Sequence, residues 1–283
     1  MRSNVECMGR VENKVALITG AARGQGRSHA IRLAEEGADI IAVDICADVS
    51  SVPYPLGSVD ELDETAALVE KAGRRVMKRV VDVRSQAAMD EVVSDAVSEF
   101  GHIDIVSANA AVVNFGLSWE LSEAAWQDTI DINLTGVWHT TKAVAPAMIA
   151  AGRGGSIVLT SSTGGLRGRP NVAAYAASKH GMVGLMRSLA NELAPYSIRV
   201  NSLHPTNVST PMFFNEPTRR LFRPDLENPT QEDQAVAGRE MNGLPIPWLD
   251  PIDVSNALLW LASDEARYIT GVTLPIDAGM LIK

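Results

Sequence analysis

The sequence predicts an α/β domain built on a doubly wound, mainly parallel seven-stranded sheet with helices on both faces. Three observations predict it. Short apolar runs alternate with helix-period stretches from Lys14 onward, the pattern of a parallel sheet covered on both sides. A glycine-rich turn stands between the first run and the first helical stretch. The length, 283 residues, is enough for a full core without disulfides or metal. No internal repeat, low-complexity tract or linker divides it, so residues 14–283 read as one domain behind an N-terminal extension of residues 1–13.

The elements follow in order. Lys14–Thr19 is a buried strand ended by Gly20. A helix over Ser28–Glu36 carries Ile31, Leu33 and Ala34 as its apolar stripe, with Gly37 just past its end. Asp39–Asp44 is the second strand, apolar until its final carboxylate. Residues 47–58 hold Pro53, Pro55 and Gly57 where only a short strand-to-helix loop is needed, so they form an insertion. Arg75–Val81 and Ile103–Ser107 are the third and fourth strands, with a helix near Gln86–Phe100 between them. Ser122–Ala150 predicts one long helix. Ser156–Thr160 and Ile198–Leu203 flank a helix at about Ala173–Ala194, on which Met182, Leu185, Met186, Leu189 and Leu193 fall at helical spacing. Thr206–Trp248 is proline-rich without a clean period, the make-up of a lid or binding segment. Pro251–Ala262 and Val272–Ile276 supply the last helix and strand.

Composition narrows the function classes. A net charge of −9 argues against nucleic-acid or anionic-membrane partners. Two cysteines, Cys7 and Cys46, with no Cys/His cluster, predict neither a disulfide framework nor a metal site, and Cys46 reads as a small apolar residue. No apolar run has the length of a membrane span, and Met1–Arg10 lacks the apolar core of a signal peptide, so a cytoplasmic location is expected.

The chemistry gathers in a few segments. Thr19-Gly20-Ala21-Ala22-Arg23-Gly24-Gln25-Gly26 joins a strand to a helix, and such glycines let the backbone approach a pyrophosphate while the helix N-terminus stabilises its charge. Asp44 lies 18 residues past Gly26 at the end of the second strand. A carboxylate there can accept both ribose hydroxyls of an adenosine and repels a 2′-phosphate, which favours NAD; Arg23 pulls toward NADP, and Asp44 outranks it by position. Tyr175 and Lys179 share one helical face at i, i+4 spacing, and a phenol serving as a base near neutral pH needs a nearby cation. Ser162 follows a strand end 13 residues earlier, its hydroxyl available to a substrate oxygen. Asn133 is polar inside an otherwise apolar helical stretch, which predicts that a kink or a bound water uses its amide.

Together the T-G-x-x-x-G-x-G turn, Asp44, Asp82-Val83, Asn109, Asn133, Ser162 and Tyr175-x-x-x-Lys179 resemble the classical type of short-chain dehydrogenase/reductase, from Lys14 to the end. The resemblance implies a Rossmann-type sheet, an NAD cofactor and a homotetramer. It implies that Tyr175 transfers the proton, that Ser162 orients the substrate oxygen, and that Lys179 holds the nicotinamide ribose and lowers the Tyr175 pKa. Asn133 would anchor a proton-relay water. Cofactor contacts would come from Gly20, Arg23, Gly24, Gln25, Gly26, Asp44, Ile45, Asp82, Val83, Asn109, Ala110, Tyr175, Lys179, Pro205, Val208 and Thr210. The family's N-N-A-G reads Ala108-Asn109-Ala110-Ala111 here, and its P-G reads Pro205-Thr206. With the insertion and the ending Gly271–Gly279, these departures resemble the carveol-dehydrogenase-like, mycofactocin-coupled branch, which implies a hydrophobic alcohol or ketone as substrate, mycofactocin as external electron acceptor and a non-exchanging NAD.

The lid stays open to two readings. Phe213, Phe214 and Phe222 lie in it with Met212, Leu221, Leu244 and Trp248, either as an apolar wall over the substrate or as a contact with a neighbouring subunit. Trp126 and Trp138 are expected in the core or at an interface. Other functions weighed are an ordinary NAD-exchanging 3-oxoacyl or hydroxysteroid-type reductase, a non-catalytic NAD-binding scaffold, and an extended epimerase or dehydratase, for whose larger C-terminal domain there is little room.

Overall fold

The computed structural model describes residues 9–283; Cys7 and most of the expected N-terminal extension lie outside them. The seven predicted runs form one sheet in the order β3-β2-β1-β4-β5-β6-β7, every neighbouring pair parallel. Its strands are β1 (Val15–Thr19), β2 (Asp39–Asp44), β3 (Val76–Val80), β4 (Ile105–Ala108), β5 (Gly155–Thr160), β6 (Ile198–Pro205) and β7 (Thr273–Ile276). Both β1 and β2 are buried throughout, as the apolar runs Val15–Ile18 and Ile40–Val43 require of central parallel strands.

The helices are α1 (Gly24–Glu35), α2 (Val59–Lys71), α3 (Gln86–Phe100), α4 (Glu123–Ile130), α5 (Gly136–Ala151), α6 (Ala173–Leu193), α7 (Glu216–Phe222), α8 (Gln231–Met241) and α9 (Pro251–Ala262). Alternation along β1 sorts them into two layers. Val15 and Leu17 join the core beneath α3, α5 and α6, whereas Ala16 and Ile18 join the core beneath α1, α2 and α9.

The structure refines the expected elements at several points. The first helix starts at Gly24, inside the glycine turn, not at Ser28. The long helix expected over Ser122–Ala150 is α4 and α5 joined by a π turn, Asp131–Thr135, centred on Asn133. The lid contains α7 and α8, which its proline-rich sequence conceals. Trp126 and Trp138 are not core residues: they are 42% and 43% exposed. Residues 9–13 pack down firmly, with Val11 buried and Arg10 paired to Glu265.

Candidate active site

The order of strands reverses between β1 and β4, and an open α/β sheet binds ligands in the crevice at such a point. Gly20 closes β1 at φ +68°, and a side chain there would meet the Ala110 backbone. Gly26 lies behind the turn, so close to the Gly20 carbonyl that any Cβ would overlap it; it seats α1 and does not line the cleft. Asn109 locks this corner. Its Nδ2 donates to the Thr19 carbonyl (3.1 Å), while its backbone N–H and that of Ala110 donate to Thr19 Oγ1 at 3.0 and 3.1 Å.

From this corner a cleft of about 1020 Å³ runs along the C-terminal edge of the sheet. Gly20, Arg23, Gly24 and Gln25 form its floor, Asp44 and Ile45 one end, Asp82 and Val83 a side, and Asn109, Ala110 and Thr210 the middle. Asp44 is nearly buried, and its carboxylate accepts from Ala22 N (2.9 Å) and Cys46 N (3.0 Å). Asp82 accepts from Arg84 Nε (2.8 Å), which holds the Arg84 guanidinium above its usual value. Arg23 also donates to the Pro55 carbonyl of the insertion.

The insertion itself covers one end. Val49, Tyr54, Leu56 and Gly57 line the cleft, and Tyr54 is buried with its hydroxyl accepting from Val113 N at 2.9 Å. Burial holds that phenol above its ordinary pKa. Ser51 Oγ donates to Asp128 at 2.7 Å, and Asp48 accepts from Leu56 N at 2.7 Å, so the segment is tied at several points.

Tyr175 and Lys179 stand one turn apart on α6 and reach the other end of the cleft. Lys179 Nζ donates to the Thr160 carbonyl (2.7 Å) and lies 5.5 Å from the Tyr175 ring centre; burial pulls its pKa down to about 7. The expected lowering of the Tyr175 pKa by Lys179 is not what this geometry gives. Burial raises the phenol, and the opposing pull comes from a hydrogen bond with Ser162. Ser162 follows β5 and caps a short turn, its Oγ accepting from Gly164 N at 3.0 Å.

Asn133 lines neither cavity. It is fully buried at the π turn, accepting from Val112 N and donating to Val112 O, both at 2.8 Å, and reaching Ser178 Oγ on α6 at 3.3 Å. The amide is thus used, as its odd position predicts, but by the loop after β4. A residue that sequence reasoning passed over, His204, supports Ser162 from below. Because the Ser162 carbonyl can only accept, His204 Nδ1 donates to it (2.7 Å), and Nε2 takes the Ser202 hydroxyl (2.8 Å). Its place in His204-Pro205-Thr206 was the available signal.

Beyond Tyr175 opens a second cavity of about 1650 Å³, which shares Gln25, Ser161, Tyr175, Thr210 and Met212 with the first. Ser162, Pro205 and Val208 line this one and not the cleft. The lid aromatics divide. Phe213 and Phe222 face the cavity, while Phe214 and Trp248 brace Phe213 from outside at 5.3 and 5.9 Å. Leu244 is exposed.

The residues fit a dinucleotide: a glycine floor that a Cβ would obstruct, a carboxylate at one end, a desolvated lysine at the other, and a buried Gln25 Oε1 without a partner between them. Among the described residues no group of three or more His, Cys, Asp and Glu could hold a metal ion, and no helix is long and apolar enough to cross a membrane. Such a site, in which a phenol joins a dinucleotide cleft to an apolar cavity, defines an alcohol–ketone oxidoreductase. The short chain dehydrogenase profile matches residues 14–220, and the chain belongs to that family. It is similar to (-)-trans-carveol dehydrogenase of Rhodococcus erythropolis, 58% identical over 98% of this chain and all of that one. It is also similar to the crystal structure of carveol dehydrogenase from Mycobacterium avium in complex with NAD, with a TM-score of 0.96 and 55% identity over 97% of this chain and all of that one. The 3-oxoacyl-[acyl-carrier-protein] reductase FabG of Thermotoga maritima is 36% identical over 96% of this chain and all of its own.

Proposed function

We propose that this protein is an NAD-dependent, carveol-dehydrogenase-like enzyme that interconverts a hydrophobic, terpenoid-like secondary alcohol and its ketone. The observation that carries the proposal is Tyr175 at the junction of the two cavities, with Ser162 beside it and Lys179 behind it. Bound NAD supplies the hydride acceptor. Gly20, Gly24 and Gln25 would hold its phosphates, Asp44 the adenosine ribose, Asp82 and Val83 the adenine, and Lys179 the nicotinamide ribose. Val208 would meet the nicotinamide carboxamide and Thr210 the pyrophosphate.

In alcohol oxidation Tyr175 Oη takes the hydroxyl proton as general base, and Ser162 Oγ donates to the substrate oxygen as negative charge develops on it. The hydrogen bond with Ser162 is what opposes the burial cost of the phenolate. Asn133 fixes the Val112 backbone against α6, which holds this wall of the site in place. Met212, Phe213 and Phe222 exclude water from the carbinol.

The same proposal makes the NAD tightly held, re-oxidised in place by an external acceptor such as mycofactocin, in a cytoplasmic homotetramer. The tied insertion over the cleft supports retention, and the exposed Trp126 and Trp138 support an interface. Purified holoprotein given a hydrophobic secondary alcohol and excess free NAD is expected to make at most one NADH per subunit. With an artificial electron acceptor it is expected to turn over continuously. Sustained turnover on free NAD alone would return the protein to the ordinary, cofactor-exchanging class.

A further inference from the structure

The second cavity is apolar along most of its wall, through Val113, Phe115, Met212, Phe213, Phe222 and Met241, with Tyr175 and Ser162 at its reacting end. Arg169 breaks that pattern. It sits in the loop that leads into α6, lines the cavity, and is half-buried. Among the described residues its guanidinium has no hydrogen bond and no ion pair; burial and the neighbouring Arg167 are what act on it. The other charged side chain of this cavity, Glu240, is exposed and forms no ion pair with it.

Several other partly buried guanidinium groups are paired, whereas Arg219, which like Arg169 has no side-chain partner among the described residues, lines neither cavity. Arg27 pairs with Glu64 at 2.7 Å, Arg74 with Glu12 and Asp39 at 3.1 Å each, and Arg84 with Asp82 and Asp128 at 2.7 Å each. A partly dehydrated cation without a counter-charge is unfavourable in a cavity wall, and its planar fork matches a carboxylate in two-point geometry.

We infer that Arg169 anchors a carboxylate at the far end of the substrate, so that the preferred alcohol is a hydrophobic hydroxy acid with its carbinol at Tyr175. The inference rests on the reading of Tyr175 as the reacting end and adds a second fixed point to it. A neutral alcohol of the same size would be held by hydrocarbon contacts alone.

The test uses three acids of increasing reach: 4-hydroxycyclohexane-carboxylate, -acetate and -propanoate, each beside its methyl ester. They are given to holoprotein with an artificial electron acceptor. At least one acid is expected to exceed its ester in kcat/KM by about tenfold to a hundredfold, the range of one charge-assisted two-point contact. Arg169→Gln should remove that preference while changing the esters less than about threefold, and Arg169→Lys should restore part of it. Thermal melting establishes that the variants fold. Calorimetric titration of the corresponding hydroxyl-free cyclohexyl acids reads the anchor without turnover. If neutral alcohols are oxidised but no acid is preferred, and no acid binds the wild type better than Arg169→Gln, the anchor is overturned and the activity stands. If an acid binds through Arg169 while nothing is oxidised, the activity falls and the anchor stands. Equal loss for acid and ester in Arg169→Gln also overturns the anchor.

Discussion

Desolvation opposes the ionised form of Tyr175, so the proton transfer proposed for it depends on neighbours that reach its hydroxyl oxygen. Ser162 is one such neighbour, and His204 holds Ser162 by its carbonyl. Replacing Tyr175 by Phe removes a single oxygen and no packing, so fold and NAD retention are expected to persist. Turnover with the artificial acceptor should fall by about 10²–10⁴, the usual weight of a positioned acid–base group. Residual activity above a tenth of wild type would assign the proton transfer elsewhere. At this scale the motif residues were legible because their types and spacings are unusual. His204, Tyr54 and Arg169 were not. The first two bond backbone atoms far away in sequence, Ser162 O and Val113 N, and the third is marked only by a missing partner.

At the scale of elements the strands were readable as short, mostly apolar runs, and no edge moved by more than two residues. The π turn was foreshadowed by Asn133 as a polar intruder, yet nothing in an apolar helical run distinguishes a widened turn from a regular one. α2 and α8 carried a signal that periodicity misses, the capping boxes Ser58/Glu61 and Thr230/Asp233. The packing of α1 on α9 also makes a prediction. His29 lies fully buried between them, its Nδ1 2.8 Å from Ser255 Oγ, and burial lowers its pKa to about 3. The folded chain therefore refuses a proton that the unfolded chain accepts below about 6.5. That stability is fully present above pH 6.5 and is lost as pH falls toward 3, amounting to about 2 kcal/mol already at pH 5. Urea unfolding at pH 7.5 and 5.0 should show a smaller acid loss for His29→Gln than for wild type. Equal losses would exclude His29 as a source of acid sensitivity.

For the whole molecule, the decisive arrangement is that two segments remote from each other in sequence close over one continuous space. Residues 47–58 cover the Asp44 end of the cleft, and the lid from Thr206 to Trp248 covers the far side of Tyr175. The lid is stitched at its base, where Val208 pairs with Leu249 and Ser209 Oγ donates to Asp250 at 2.9 Å. The insertion is stitched at its tip by Tyr54 to Val113 and by Ser51 to Asp128. Pro53 and Pro55 restrict the unlatched segment and so lower the entropy lost on latching. If the insertion is the exit gate for NAD, weakening its tip must speed release without altering the cleft floor. Tyr54→Phe leaves the ring in place but strands the partly buried Val113 N–H, which costs at most about 1–3 kcal/mol in the latched state. The release rate should then rise by about fivefold to a hundredfold, and Ser51→Ala should add a further, smaller increase. The measurement is loss of protein-bound NAD after dilution into cofactor-free buffer, followed by mass spectrometry of the denatured protein. An unchanged rate in both variants would place the exit under the lid and leave the insertion as a fixed wall.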